Sequence, residues 1–142
     1  MKSFLKKYKY WVLAIFLNIA LFASAPYLNK KGKERRLSSF ERGVYSLGLV
    51  TEFRNETRSD HYRYTFQYGG EMYKSRYYYD GIHLEVGKHY FLIIDPENPN
   101  YNNFLLPIFP VPDNITEAPP EGWKELPIPV DKEEIKKFLE DY

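Results

Sequence analysis

The chain carries three histidines, His61, His83 and His89, whose spacing matches no catalytic or metal-binding motif. Two histidines one helical turn apart beside a glutamate would hold zinc, and a serine between two glycines would give a nucleophile, but neither pattern occurs. Cysteine is absent, which excludes a disulfide, a thiolate nucleophile and a cysteine metal site. We therefore predict no catalytic, cofactor-binding or metal-binding residue and a protein that is not an enzyme.

The side chains most suited to bind a partner lie in the stretch HYRYTFQYGGEMYKSRYYYD, residues 61–80, which holds half of the 14 tyrosines. Gly69 and Gly70 are a two-residue turn signal, and they fix the pairing of the two flanking strands. The register places one set of rings on one face of the hairpin, namely Tyr62, Tyr64, Phe66, Tyr73 and Tyr77. The other face receives His61, Arg63, Thr65, Gln67, Met72, Lys74, Arg76 and Tyr78. Because one register separates the two sets, the aromatic face is predicted to be core.

The polar face of the hairpin is the predicted partner-binding face, through Arg63, Lys74 and Arg76. Arg63 lies opposite Arg76, and two cations in that position repel each other unless an anion or a carboxylate lies between them. This is a hint of an unidentified, acidic protein partner, but a merely solvated face is the simpler explanation of these side chains. Nucleic acid is not expected, because its single-strand readers combine rings and cations on one face and the net charge here is only +1.

These residues follow an N-terminal segment, residues 1–28, that is predicted to be a signal-anchor or transmembrane helix. Residues 10–28 are mostly apolar, and as a helix they span about 28 Å, close to the thickness of a bilayer core. The rival interpretation is a cleaved signal peptide, because Ala23-Ser24-Ala25 fits a cleavage site. Pro26 would follow the cleaved bond and disfavours cleavage.

Basic residues flank both ends of the apolar run, so the positive-inside rule does not settle its orientation. A short lysine-rich leader before an apolar run resembles a signal-anchor. We therefore expect a single-pass membrane protein whose remaining residues lie outside the cytoplasm.

The rest of the chain predicts a mainly β fold, either a small five-stranded antiparallel sheet or an SH3-like barrel, with a short C-terminal helix. Residues 29–42 read as a polar juxtamembrane linker, and residues 43–108 as the β-domain. Within that domain, the run HYFLIID (89–95) is typical of a strand buried on both faces. Residues 109–142 form a proline-rich extension and a helix that begins after Asp131, whose side chain is suited to cap it. The extension either crosses the domain surface or hangs free.

Residues 43–99 approach a pattern of turns and core positions that reads G-x-V, then Y-x-F-x-x-G-x-x-Y, then V-G and D-P-x-x-P. The chain departs from it at two places, because Gly43 and Val44 are adjacent and three residues separate Gly69 from Tyr73. The residues that carry it are Gly43, Val44, Tyr64, Phe66, Gly69, Tyr73, Val86, Gly87, Asp95, Pro96 and Pro99. This pattern resembles an uncharacterised bacterial family of small membrane-associated β-domains, known only as a domain of unknown function. The resemblance implies a compact β-sheet or barrel beside a membrane helix, and it implies no activity or catalytic residues.

The expected function is a membrane-anchored, non-enzymatic interaction or scaffold module of the bacterial cell envelope. The alternative is a small immunity or inhibitor protein that neutralises a partner toxin. A hydrolytic enzyme is a third hypothesis, disfavoured because no nucleophile and base form a recognisable pair.

Overall fold

The structure is a computed structural model that describes the backbone of residues 2–142 and the side chains from Tyr8 onward. The chain divides into two compact units, the first ending at Glu34 and the second beginning at Arg35. Helix α1, Lys2–Arg42, forms the first unit and contributes its last turns to the second.

Helix α1 is long and apolar enough to cross a membrane, judged by length and composition. Its polar residue Asn18 donates a hydrogen bond to the Ala14 carbonyl at 2.8 Å, which satisfies the amide group within the helix. Residues 29–42, expected as a linker, continue the helix. Lysine, glutamate, arginine and leucine dominate this segment, and all four are strong helix formers that outweigh the single Gly32.

Five strands form one antiparallel sheet in the order β3-β2-β1-β4-β5, which confirms the predicted mainly β fold. The strands are β1 (Val44–Arg54), β2 (His61–Tyr68), β3 (Glu71–Tyr78), β4 (His89–Ile94) and β5 (Asn103–Leu105). Gly69 and Gly70 form the β2–β3 turn with φ of 60° and 82°, values that suit a two-residue hairpin turn. The predicted register is confirmed at every pair from His61 with Tyr78 to Tyr68 with Glu71.

Each face of the sheet covers its own hydrophobic cluster. The inner face, onto which the sheet curls, is filled by one set of rings and aliphatic side chains: Val50, Tyr62, Tyr64, Phe66, Tyr77, Leu84, Tyr90, Leu92, Ile94 and Leu105. The outer face carries a second cluster: Tyr45, Leu47, Phe91, Ile93, Leu106, Phe109, Ile135 and Leu139. Strand β4 contributes to both clusters, as predicted from its continuous apolar run.

The proline-rich extension, residues 109–130, lies across the outer face beside β1. Trp123 exchanges two main-chain hydrogen bonds with Tyr45, both 2.8 Å long, and the Gly69 amide donates to the Pro120 carbonyl at 2.8 Å. Gly122 precedes Trp123 with φ of 76°, and any Cβ there would lie 2.8 Å from the Tyr45 carbonyl oxygen. Only glycine therefore permits this close approach. Of the two predicted courses, the chain takes the one across the surface.

Helix α2, Lys132–Glu140, closes the outer cluster. The Asp131 side chain caps the helix by accepting from the Glu133 amide at 3.0 Å, as predicted for a helix that begins after Asp131. Ile135 and Leu139 are buried and Phe138 is half-buried, so α2 packs on the domain. A helix this short needs such contacts to be stable.

The loop after β4 is held by the carboxylate of Asp95, which is 1% exposed. It accepts from Arg42 at 3.1 Å, from the Glu97 amide at 3.1 Å and from Asn102 at 3.3 Å. Burial opposes ionisation, but these donors outweigh it and lower the pKa of Asp95. The D-P-x-x-P segment is thus a turn that fixes the end of α1 to the sheet.

Candidate functional site

The tyrosine-rich hairpin contributes mainly to the core. Tyr64, Phe66 and Tyr77 are each at most 2% exposed, as the register predicts. Tyr73 is only half-buried because β3 is an edge strand, and its ring stacks on Phe66 at a centroid distance of 5.3 Å. The inner rings are therefore not available as a binding platform.

The three residues predicted to bind a partner lie together on the outer face of β2 and β3. Arg63, Lys74 and Arg76 line a recess of about 530 Å³. The extension packs on the other half of this face, beside β1 and β4, where Tyr45 pairs with Trp123. We call this recess the basic recess; its lining is Thr51, Glu52, Arg63, Tyr64, Thr65, Lys74, Ser75 and Arg76.

A β-bulge in β1 places Glu52 in the basic recess. Val50 pairs with Tyr64, but the next pair along the ladder is Glu52 with Arg63, so the register shifts by one residue between them. In an unshifted ladder Glu52 would face Tyr62 on the inner side. Glu52 could not be assigned to the site from the sequence, because no residue pattern in β1 signals the bulge.

Glu52 is the only carboxylate in the recess, and two arginines share it. Its Oε1 lies 2.9 Å from Arg54 Nε and 3.2 Å from Arg63 Nη1. The Arg54 hydrogen bond is the main cause that lowers the pKa of Glu52, and the charges of Arg54 and Arg63 add to it. Glu52 therefore remains ionised at neutral pH and is already paired.

The remaining cations of the recess have no counter-ion. Among the residues that the structure describes, Lys74 and Arg76 make no ion pair, and the buried Arg63 Nε has no hydrogen-bond partner. Arg63 lies directly opposite Arg76 on the neighbouring strand. Three basic side chains thus line the recess together with one carboxylate, and Arg54 contacts that carboxylate as well. Such an arrangement can bind carboxylates or other oxyanions through charge-assisted hydrogen bonds.

The predicted polar face also contains His61, which the structure buries to 1% exposure. Neither ring nitrogen has a hydrogen-bond partner, and the ring centroid lies 5.9 Å from that of Tyr78. The Nε2 atom of His83, by contrast, lies 3.1 Å from the Tyr79 hydroxyl, within hydrogen-bond distance. From Tyr8 onward no three acidic or histidine side chains are spaced to hold a metal ion.

A second groove of about 420 Å³ continues from the basic recess toward the extension. Thr65 borders both, while Met72, Gln67 and His89 lie on the sheet side and Glu117 on the extension side. The groove has fewer charged groups than the recess.

Comparison with protein-family models, with curated proteins and with solved structures finds no match. The resemblance carried by residues 43–99 stays a prediction.

Proposed function

We propose that this chain is a membrane-anchored, non-enzymatic binding module of the bacterial cell envelope whose basic recess holds an acidic protein partner. The observation that carries the proposal is the charge imbalance of the recess, where Lys74 and Arg76 make no ion pair with any residue that the structure describes and Arg63 faces Arg76. A carboxylate of a partner placed between the two arginines would relieve their repulsion and accept charge-assisted hydrogen bonds from their guanidinium groups.

The proposal includes a membrane topology. We assign residues 10–28 as an uncleaved single-pass anchor and place the β-domain outside the cytoplasm, in keeping with the resemblance to membrane-associated β-domains. Intact mass of the membrane-extracted protein tests the anchor, and a mature chain that begins at Pro26 would contradict it. Protease digestion of sealed cells and of inverted vesicles tests the side on which the β-domain lies.

Binding is tested by the double variant Arg63→Glu with Arg76→Glu in the full-length protein. Both side chains lie on the outer face away from the hydrophobic clusters; Arg76 is exposed, and Arg63 is half-buried with one ion pair to Glu52. Loss of an ion pair of this kind usually costs no more than about 1 kcal/mol. We expect the protein to stay folded with a melting temperature lowered by a few degrees at most, and a partner crosslinked in membranes to be lost. The wild-type complex should also weaken as salt is raised.

The matched control is Lys88→Glu with Lys124→Glu, which changes the net charge equally at exposed positions outside the recess. This control should keep the partner. Equal crosslinking yields from the recess variant and the control would show that the basic recess does not bind it.

A further inference from the structure

The free edge of the sheet lies beside the basic recess. Strand β3 pairs with β2 on one side and occupies the end of the strand order. In an antiparallel pair, residues alternate between pointing their main-chain groups at the partner strand and pointing them away from it. The Tyr79 amide donates to the Asp60 carbonyl at 2.9 Å just beyond the strands, and this bond fixes the alternation.

Every second pair of the β2–β3 ladder, counted from Asp60 with Tyr79, is therefore a hydrogen-bonded pair. Tyr64 with Ser75 and Phe66 with Tyr73 are two of these pairs. The intervening residues of β3, Met72, Lys74 and Arg76, therefore point their amide and carbonyl groups out of the sheet. Among the described residues, none of these three makes a main-chain hydrogen bond on that side. Met72 is 58% exposed, and Lys74 and Arg76 are also exposed.

The open part of this edge is the stretch from Glu71 to Arg76. Farther along β3 the sheet curls toward β5, and the Tyr142 ring lies 5.8 Å from Tyr77 and 5.6 Å from Phe104. Of the residues with outward main-chain groups, Lys74 and Arg76 line the basic recess, and Met72 lines the adjacent groove. Lys74 and Arg76 therefore offer main-chain donors and cations together.

We propose that the acidic partner binds as an extended segment that adds a sixth strand to the β3 edge, with acidic side chains at alternate positions facing Lys74 and Arg76. The proposal rests on the function assigned to the basic recess and names how the partner is recognised. Main-chain hydrogen bonds hold the strand, and the alternate side chains give specificity.

Charge decides which strand can occupy this edge. Lysine and arginine on an edge strand normally prevent pairing with a second copy, because pairing β3 with β3 brings cations against cations. The same cations favour a strand that carries carboxylates on the corresponding face. The occupant is therefore an acidic segment of another protein.

The test uses the full chain in uncharged nanodiscs and a fluorescent peptide of about nine residues that alternates glutamate with valine. We expect the peptide to pair antiparallel, as every neighbouring pair of strands in this sheet does. A peptide residue directly opposite Lys74 then points its own main-chain groups at β3, so the glutamate amides form the new bonds. We compare N-methylation of the glutamate amides with N-methylation of the valine amides. The first should weaken binding at least about tenfold, and the second should leave it within about twofold.

Two variants of the protein test the same main-chain hydrogen bonds on the β3 strand. Met72→Pro removes one outward amide, a change that edge strands tolerate, whereas Met72→Ala removes only the side chain. The proline variant should bind the peptide at least about fivefold more weakly than the alanine variant at an unchanged melting temperature. Hydrogen exchange at Met72, Lys74 and Arg76 should slow when the peptide binds.

The outcomes separate the strand proposal from the recess. Equal binding of the two N-methylated peptides overturns strand addition, and it leaves the recess intact if Arg63→Glu with Arg76→Glu still abolishes binding. Full binding by that double variant overturns the recess itself. Preference for phosphatidylglycerol vesicles or inorganic phosphate over the peptide would overturn an acidic protein as the occupant.

Discussion

The hydroxyl of Tyr64 provides the most direct measure of what holds the curled sheet together. It donates to Asn103 Oδ1 at 2.6 Å, and this bond joins β2 to β5 across the inner face. Tyr64 is 1% exposed and Asn103 is 7% exposed. The Asn103 amide nitrogen in turn donates to the carbonyls of Pro99 and Asn100 at 2.8 and 3.2 Å. The side chain of Asn103 therefore cannot rotate to a new partner without losing these two bonds.

Tyr64→Phe removes one oxygen and leaves Asn103 Oδ1 buried without that donor. A buried polar atom that loses its partner costs about 1–3 kcal/mol. For a unit of roughly 100 residues, 1 kcal/mol corresponds to a shift in melting temperature of about 4 °C or more. We expect Tyr64→Phe to melt about 4–12 °C below the wild type, measured by circular dichroism of the full chain in detergent.

Tyr62→Phe is the matched control, on the same strand and the same face. Tyr62 is 5% exposed, and among the described residues its hydroxyl makes no hydrogen bond. This variant should stay within about 0.5 kcal/mol of the wild type. If both variants melt alike, the Tyr64 to Asn103 bond contributes nothing to stability and the role assigned to it is wrong.

Three further predictions concern other buried side chains of the same unit. Asp95 has a lowered pKa when folded, so its contribution is present above the ordinary value of about 3.9 and is lost as the pH falls through the folded value. Denaturation at several pH values should show Asp95→Asn less stable than the wild type at pH 7, with the two converging near pH 2; a constant difference would contradict this. Leu139→Ala should lose about 2–5 kcal/mol in urea melts because the side chain is fully buried, whereas Glu140→Ala should lose little. His61→Phe should melt no lower than the wild type, because it removes two buried nitrogens that lack partners; a clear fall in melting temperature would show that the imidazole has a stabilising role.

The sequence predicted the β2–β3 hairpin correctly because its register depends on local chemistry. The two glycines fix the turn, and strict alternation then assigns every side chain of the hairpin to a face. The same holds for β4, whose continuous apolar run requires burial on both sides, and for α2, whose capping residue precedes its apolar stripe. Each of these signals lies within a few residues of the element it specifies.

Features that depend on distant contacts could not be predicted in this way. The pairing of Trp123 with Tyr45 joins residues far apart in the sequence, and the burial of His61 depends on the side chains around it. The bulge that brings Glu52 to Arg63 is a property of the β1–β2 pair and not of β1 alone. Arg63, Lys74 and Arg76 were therefore located from the sequence, while the carboxylate among them was not.

Alternation along β2 and β3 also separates stability from binding at neighbouring positions. Tyr64 points into the inner cluster, whereas Arg63 beside it points into the basic recess. The register places Arg76 on the recess side and Tyr77 in the core in the same way. A substitution at a position that points into the inner cluster is thus expected to change the melting temperature. A substitution at a position that points into the recess is expected to change the affinity for the partner. Because the outward amides of β3 belong to the residues on the recess side, a strand that pairs with this edge meets the cations without disturbing the aromatic core.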